Sequence, residues 1–256
     1  MTVGDFGRDG VARPGMETNP LFPQDPAVPY GKLLELRLAD VSHRIVATGL
    51  RNPQRLALTR DGRIFETEHG PQSGDELNQI RDGGNYGWPN VTYGTDYESD
   101  RWSLSARMGR HDGYLTPVHA WVPSVGVSQL VELVGFPPEW DGDILVGSLT
   151  GRSLWRLRLE GDRAAYAEQI PIDERVRDMI RLADGRIAIL SDDGRVVLIE
   201  AAPTSERPQP VPTAIAQRCL ECHIMSPTPV AGGRISLAGV VGRDVASWPG
   251  ATYSPA

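Results

Sequence analysis

Lysine, cysteine and long apolar runs are almost missing from this 256-residue sequence. Lys32 is the only lysine among 26 basic residues, and there are only 2 cysteines. No run approaches the roughly 18 to 20 apolar residues that a membrane-spanning helix needs, so we expect no transmembrane segment. The net charge of -7 argues against nucleic acid as a partner, because nucleic-acid binding requires clustered cations.

The two cysteines that are present lie in the motif Cys219-Leu220-Glu221-Cys222-His223. This spacing is that of a c-type haem attachment site, in which both thiols bond to the porphyrin and the histidine binds the iron. The alternatives are a redox C-x-x-C pair or a chance pairing with a surface histidine. A haem c predicts one-electron transfer to a downstream respiratory acceptor and assembly in the periplasm, although Met1–Phe6 shows no signal peptide.

Residues 30–200 contain repeated strand–turn–strand units and no sustained helical period. Asp-Gly dipeptides at 61–62, 184–185 and 193–194 separate β-rich runs, which is typical of tight hairpins. The predicted strands include Lys32–Leu38, Asp143–Leu149, Ser153–Leu159 and Arg195–Glu200. These features predict an all-β domain that forms a barrel, a sandwich or a propeller. At roughly 40 to 50 residues per blade, a propeller would have about four blades.

Residues 202–213 carry four prolines and predict a semi-rigid extended linker. We therefore divide the chain into a β-propeller domain at 1–201, this linker, and a small α-helical haem domain at 214–256. The first residues read as the end of a strand entering a loop. The propeller is thus expected to lack its N-terminal blades.

Four ordered motifs follow one another between residues 49 and 94. They are Arg51-Asn52-Pro53-Gln54, Glu68-His69-Gly70-Pro71, Gly74-Asp75-Glu76-Leu77-Asn78 and Asn85-Tyr86-Gly87-Trp88-Pro89. In this order they resemble the soluble PQQ-dependent sugar dehydrogenases, the glucose/sorbosone dehydrogenase family of six-bladed propellers. The resemblance covers most of residues 1–200, so about four of six blades would be present. It implies PQQ-dependent oxidation of an aldose sugar or related alcohol.

The resemblance also implies a set of quinone-binding residues. Arg51 would contact the quinone oxygens, with Asn52 beside it in the binding site, and Trp121 would form an aromatic wall of the pocket. Arg175 and Arg177 would bind the carboxylates, because planar guanidinium groups suit a tricarboxylate ligand. At i and i+2 of a strand, these two arginines should project to the same face. The alternatives are a solvated strand face for the arginines and a buried core position for Trp121.

Two calcium sites are implied by the same resemblance. The kink at Gly70-Pro71 would offer backbone carbonyl oxygens to a calcium ion that polarises the quinone. Asp75, Glu76 and Tyr86 resemble a second, structural calcium site. For these three residues the alternative is turn capping at an ordinary propeller corner.

Two positions depart from the family pattern. The catalytic base of the family is a histidine in the blade before Thr2–Arg8, so it is expected upstream of residue 1, and no catalytic residue is assigned here. The lysine that better-known members direct at the quinone corresponds to Thr150. We therefore expect that the chain by itself does not turn over.

The segment after the haem motif resembles class I cytochrome c. Leu237–Arg243 and Trp248–Ser254 match a loop and a Tyr-Ser pair that pack against haem in that family. Met225 is too close to His223 to reach the opposite haem face, so the distal methionine would lie beyond Ala256. The cytochrome domain is thus expected to be incomplete as well.

These observations favour a periplasmic PQQ-dependent dehydrogenase fused to its own haem acceptor, with the linker keeping the haem at a high effective concentration. Two other functions stay open. One is a non-catalytic propeller that binds a partner or glycan, with haem as the working centre. The other is a calcium-dependent propeller hydrolase such as a lactonase, which would need carboxylates that converge on an axial metal.

Overall fold

Four sheets of short strands make up the described part of the chain. The computed structural model describes residues 1–201, apart from 12–19, 106, 108 and 137–138. The predicted linker at 202–213 and the predicted cytochrome domain at 214–256 lie outside the described residues, as do Cys219, Cys222 and His223.

The strands are numbered in chain order. They are β1 (Thr2–Val3), β2 (Lys32–Leu36), β3 (His43–Thr48), β4 (Pro53–Leu58), β5 (Ile64–Glu68), β6 (Asp75–Ile80), β7 (Gly84–Asn85), β8 (His119–Trp121), β9 (Val127–Glu132), β10 (Ile144–Ser148), β11 (Ser153–Glu160), β12 (Arg163–Pro171), β13 (Val176–Arg181), β14 (Ile187–Ser191) and β15 (Val196–Ile199). Within the described residues the one helical element is a 3₁₀ turn at Phe22–Gln24. None of the described residues belongs to a helix long and apolar enough to cross a membrane.

Each sheet is built mainly from consecutive strands. The first sheet has the order β1-β2-β3-β7, the second β4-β5-β6-β8, the third β9-β10-β11-β12 and the fourth β13-β14-β15. Neighbouring strands are antiparallel, except that β3 and β7 are parallel. Hairpin connections explain this pattern, since antiparallel neighbours can be joined by very short turns.

The first strand of each sheet packs against the first strand of the next sheet. β1 contacts β4, β4 contacts β9, and β9 contacts β13. Such a succession of inner strands is the arrangement of propeller blades. The prediction of an all-β fold with about four blade-like units is confirmed at this level.

Asp-Gly turns close three hairpins where the sequence predicts them. Gly62, Gly185 and Gly194 have φ angles of +85°, +87° and +82°, in the left-handed region that glycine adopts readily. The predicted strand Asp143–Leu149 is one residue shorter at each end, as β10, and Lys32–Leu38 ends two residues earlier, as β2. Element type is therefore predicted better than element ends.

The hydrophobic core lies between the faces of neighbouring sheets. Phe65, Leu77 and Leu130 belong to one buried cluster between the second and third sheets. Met179 and Ile189 belong to another between the third and fourth sheets. Burial of these faces supplies most of the stabilisation, because apolar area is removed from water on both sides of each contact.

The only lysine is buried and stabilises a loop, instead of pointing into solvent. Lys32 is fully buried, and its Nζ donates to the carbonyl oxygens of Phe22, Pro23 and Tyr30, each at 2.8 Å. Burial lowers the pKa of Lys32 to about 8. Because the three ammonium hydrogens meet three acceptors, the 3₁₀ turn is held firmly against β2.

Leu77→Ala should lower the free energy of unfolding by about 2–5 kcal/mol, because it leaves a cavity between the second and third sheets. Leu58→Ala, at a β4 position that is 72% exposed, should change it by less than about 0.5 kcal/mol. Urea denaturation followed by circular dichroism measures both variants. Equal losses for the two would contradict this assignment of the core.

Candidate functional site

Arg51 lies immediately before the inner strand β4 and is held from three sides. Its backbone N–H donates to Glu68 Oε2 at 2.5 Å, and its Nη1 donates to the His69 carbonyl oxygen at 3.0 Å. The guanidinium carbon lies 5.4 Å from the centre of the Trp88 ring, within cation–π range. The Nε of Arg51 is buried and has no hydrogen-bond partner among the described residues. One donor of this oriented side chain is therefore left for an external acceptor.

Three buried glutamates surround the amide of Asn78. The Nδ2 of Asn78 lies 3.2 Å from Glu66 Oε2, 3.0 Å from Glu68 Oε1 and 3.5 Å from Glu76 Oε2. Residues two apart on a strand share a face, so the hairpin of β5 and β6 brings all four side chains together. One amide nitrogen has only two hydrogens for three carboxylates, and the Oε1 of Glu66 has no partner in the described structure. The cluster is therefore short of donors and positive charge.

Burial and mutual repulsion change the ionisation of these carboxyl groups. Desolvation is the largest cause in each case, and neighbouring carboxylates add to it. The pKa of Glu68 is raised to about 7, although hydrogen bonding and charge from Arg51 oppose the shift. The pKa values of Glu66 and Glu76 are raised well above the ordinary carboxyl range. A divalent cation bound nearby would supply the missing positive charge.

The chain turns sharply after β5, at the buried pair Gly70-Pro71. A Cβ at Gly70 would collide with the Ser73 carbonyl oxygen, so this close backbone approach requires glycine. Ser73 has a φ of +88° and Gly74 a φ of +74°, so the turn contains left-handed backbone at a non-glycine residue. Irregular backbone of this kind leaves carbonyl oxygens available, as the predicted calcium site at Gly70-Pro71 requires.

A cavity of about 10 Å³ lies where these elements meet. Arg51, Glu68, Gly70, Glu76 and Tyr86 are among the residues that line it. That volume holds about one water molecule or one ion. Carboxylate and carbonyl oxygens are the ligands that calcium prefers, so this lining fits a small hard cation. Among the described residues, no three His, Cys, Asp or Glu side chains form a group that could hold a metal ion, so a cation here would also need backbone oxygens.

Tyr86 can contribute to such a site only through its backbone. Its hydroxyl donates to the Gln79 carbonyl oxygen at 2.6 Å and accepts the Arg81 N–H at 3.0 Å. Burial raises the pKa of Tyr86 to about 12, so the hydroxyl stays protonated. Glu76 makes weaker polar contacts than the Tyr86 hydroxyl does. Its Oε1 lies 3.7 Å from His111 Nε2, and burial lowers the pKa of that histidine to about 4.

Asp75 does not line the cavity. Its carboxylate accepts hydrogen bonds from Gly70, Ser124 and the backbone of 125–127. Asp75 and Glu76 are consecutive residues of β6, and consecutive strand side chains point to opposite faces. The structure thus brings two of the three residues predicted for the second calcium site together and separates the third.

Arg175 and Arg177 reach the same partner, as their i, i+2 spacing predicts. The Nε of Arg175 donates to Asp192 Oδ2 at 2.8 Å, and the Nε of Arg177 donates to Asp192 Oδ1. Arg175 lines an open cavity of about 230 Å³ together with Arg152 and Arg195. Arg51 and Arg175 therefore line two different cavities.

Three further positions from the sequence line neither of these two cavities. Trp121 is buried in the core cluster between the second and third sheets, which agrees with the core alternative for this residue. Asn52 is exposed, and its carbonyl oxygen accepts the His69 N–H at 3.1 Å. Thr150 is exposed on the loop after β10.

Four residues near the cavity are not among those that the sequence predicts for the site: Asp5, Glu66, Glu68 and Trp88. The backbone N–H of Asp5 donates to the Arg51 carbonyl oxygen at 2.8 Å, and its Oδ2 accepts the Trp88 Nε1–H at 2.7 Å. Burial raises the pKa of Asp5. The alternating Glu66-Thr67-Glu68 pattern, opposite Glu76 on a short hairpin, is the signal that could have revealed the acidic cluster.

Comparison with known proteins shows which family the chain resembles. The family model described as Glucose / Sorbosone dehydrogenase matches residues 34–199. The chain is 30% identical over 159 residues to the aldose sugar dehydrogenase YliI of Escherichia coli, a match that covers 60% of this chain and 43% of that protein. It is 59% identical over 51 residues to quinoprotein glucose dehydrogenase B of Acinetobacter calcoaceticus, which covers 20% of this chain and 10% of that protein.

The fold has solved counterparts as well. A crystal structure of a glucose dehydrogenase superimposes with a TM-score of 0.65 at 31% identity, covering 80% of this chain and 60% of that chain. The chain spans about two fifths of the length of the curated relatives that it matches over the longer stretches.

The acidic cluster predicts that stability falls as pH rises. A carboxyl group whose folded pKa is raised stabilises the fold at low pH, and this contribution is lost as pH rises through the folded pKa. With calcium chelated, the free energy of unfolding should therefore fall between pH 5 and pH 8, because Glu68 titrates at about 7. Glu66→Gln removes one of the three carboxyl groups whose pKa is raised and should reduce this fall by about 1–3 kcal/mol.

Urea denaturation at a series of pH values measures this effect. Glu160→Gln, at an exposed position of β11, is the control and should follow the wild type. The same pH dependence in all three proteins would show that the cluster does not behave as described.

Proposed function

The chain belongs to the glucose/sorbosone dehydrogenase family, and from this we propose that it binds pyrroloquinoline quinone (PQQ) for the oxidation of an aldose sugar or related alcohol. The observation that carries the proposal is the unpartnered Nε of Arg51 beside a cavity that Gly70 and Glu76 also line. The names of two relatives, an aldose sugar dehydrogenase and a quinoprotein glucose dehydrogenase, agree with it.

The residues around Arg51 would bind and orient the cofactor. PQQ, when bound, supplies the hydride acceptor for the oxidation. Because Trp88 and His69 already hold the Arg51 guanidinium, little side-chain entropy is lost when it binds a quinone oxygen. Glu68 fixes the backbone of Arg51 and thereby the start of β4.

Arg175 and Arg177 would bind the cofactor carboxylates. Both guanidinium groups pair with Asp192, so each has to exchange that partner for a ligand carboxylate. At side-chain exposures of 37% and 52% the two arginines are accessible to such a ligand.

Calcium would occupy two places. The carbonyl oxygens of Gly70 and Pro71 would hold the ion that polarises the quinone, and Glu76 with the Tyr86 carbonyl oxygen would hold the second one. The small cavity and the donor-poor glutamates support a cation beside Glu76.

The haem part of the proposal rests on the sequence motif. Cys219 and Cys222 would attach haem c covalently, and His223 would bind its iron. The haem would take electrons one at a time from the reduced cofactor and pass them to a downstream respiratory acceptor. Covalent haem attachment outside the cytoplasm supports the periplasm as the location.

A second candidate is a non-catalytic propeller whose working centre is the haem. The observation that favours it is that Arg51 and Arg175 line different cavities, while Arg175 and Arg177 both pair with Asp192. The quinone titration described next separates the two functions.

Arg51→Gln should weaken PQQ binding at least about tenfold, because it removes a charge-assisted contact that a neutral amide cannot replace. The full chain is titrated with PQQ in calcium and followed by absorbance. Arg55→Gln, an exposed arginine on β4, should bind like the wild type. Absence of saturable binding by the wild type, or equal affinity in Arg51→Gln, would favour the non-catalytic module.

Replacing both cysteines, Cys219→Ser with Cys222→Ser, should abolish covalent haem, since each thiol forms one bond to the porphyrin. The full chain is expressed with a cytochrome c maturation system, and haem is detected on denaturing gels by peroxidase stain. Met225→Leu is the control and should keep the stain. A wild-type chain without covalent haem would remove the electron-transfer part of the proposal.

A further inference from the structure

The carboxylate of Asp75 is the most extensively hydrogen-bonded acid of the described site. Its Oδ1 accepts from the Ser124 hydroxyl at 2.7 Å and the Gly70 N–H at 3.2 Å. Its Oδ2 accepts from the backbone N–H groups of Val125 at 3.2 Å, Gly126 at 2.7 Å and Val127 at 3.1 Å. Asp75 itself is 2% exposed, so water does not compete for these bonds.

Two backbone segments far apart in sequence converge on this carboxylate. One is the strained turn Gly70–Gly74, with Ser73 at a φ of +88°. The other is the loop before the inner strand β9, where Gly126 has a φ of +66°. Three successive N–H groups that point to one spot form an anion-binding nest, and Asp75 supplies the anion from within the chain.

The loop at 124–127 is also connected towards the fourth sheet. The N–H of Leu149 donates to the Gly126 carbonyl oxygen at 2.7 Å, and Arg175 Nη1 lies 3.5 Å from the Leu149 carbonyl oxygen. Asp75 is thus the first member of a chain of polar contacts from the second sheet towards the fourth. A metal ligand needs free lone pairs, whereas five donors already share the two oxygens of Asp75.

We propose that Asp75 is a positioning residue and not a calcium ligand: it locks the Gly70–Gly74 turn against the loop at 124–127 and so aims the Gly70 and Pro71 carbonyl oxygens. This deepens the proposed function, which assigns those oxygens to the cofactor's calcium. A strained backbone persists only where several surrounding contacts fix its conformation. The five hydrogen bonds to the Asp75 carboxylate are such contacts.

Amide hydrogen exchange of the full chain tests the positioning role directly. In Asp75→Asn the N–H groups of Gly70, Val125, Gly126 and Val127 should exchange at least tenfold faster, because a neutral amide offers one acceptor oxygen in place of the two charged ones that these groups bond. Asp143→Asn removes another buried carboxylate, which pairs with arginines in the third sheet, and should leave these four amides unchanged. Unchanged exchange at both segments in Asp75→Asn would overturn the proposal.

A milder variant covers the case in which Asp75→Asn does not fold. Ser124→Ala removes one of the five donors and should speed exchange at 125–127 severalfold while the cores of the sheets stay protected. Exchange at wild-type rates in this variant would count against the proposal.

Calcium titration by calorimetry, without quinone, separates positioning from ligation. Asp75→Asn should bind as many calcium ions per chain as the wild type, with a lower affinity for the ion at Gly70 and Pro71, whereas Glu76→Gln should bind one fewer. One ion lost in Asp75→Asn, with exchange at Gly70 unchanged, would make Asp75 a ligand and refute the proposal. If the wild type binds no calcium, the cation part of the proposed function fails, and the exchange result alone decides the role of Asp75.

Discussion

The Glu68 carboxylate connects the parts of the candidate site. One oxygen accepts the backbone N–H of Arg51 at the start of an inner strand, and the other accepts the Asn78 amide on the neighbouring hairpin strand. This connection places a permanently charged guanidinium beside three buried carboxyl groups. Such a cluster is costly without compensation, since each buried charge loses its hydration. Arg51 compensates on one side, and the small cavity leaves room for a cation on the other.

The sheets provide rigidity, and the connections between them carry the polar groups of the site. Arg51, the Gly70 turn, the loop at 124–127 and Arg175 all lie next to the ends of strands rather than within the buried cores. This division is common in proteins, because a loop can present backbone and charged groups while a packed scaffold holds its ends. The buried ammonium of Lys32 serves the same end by holding a long loop with three hydrogen bonds.

Much of the architecture follows from local rules that the sequence displays. Asp-Gly dipeptides predict hairpins because glycine adopts the positive φ that the turn needs. The motifs that contain Arg51, Gly70 and Glu76 predict residues that do meet at one cavity. Asp75 shows the limit of motif reasoning, because neighbouring strand residues face opposite sides and only one of Asp75 and Glu76 can face the cavity. Pairing of Arg175 and Arg177 with Asp192 joins the start of β13 to the turn between β14 and β15, and no local sequence pattern predicts it.

We infer that Arg51 binds the cofactor and that the small cavity beside Gly70 and Glu76 receives a cation. A crystal structure of the full chain grown with PQQ and calcium tests this most directly. We expect a quinone oxygen within hydrogen-bond distance of Arg51 Nε and a calcium ion on the Gly70 and Pro71 carbonyl oxygens. Quinone density confined to the cavity beside Arg175, with no ion near Gly70, would contradict it.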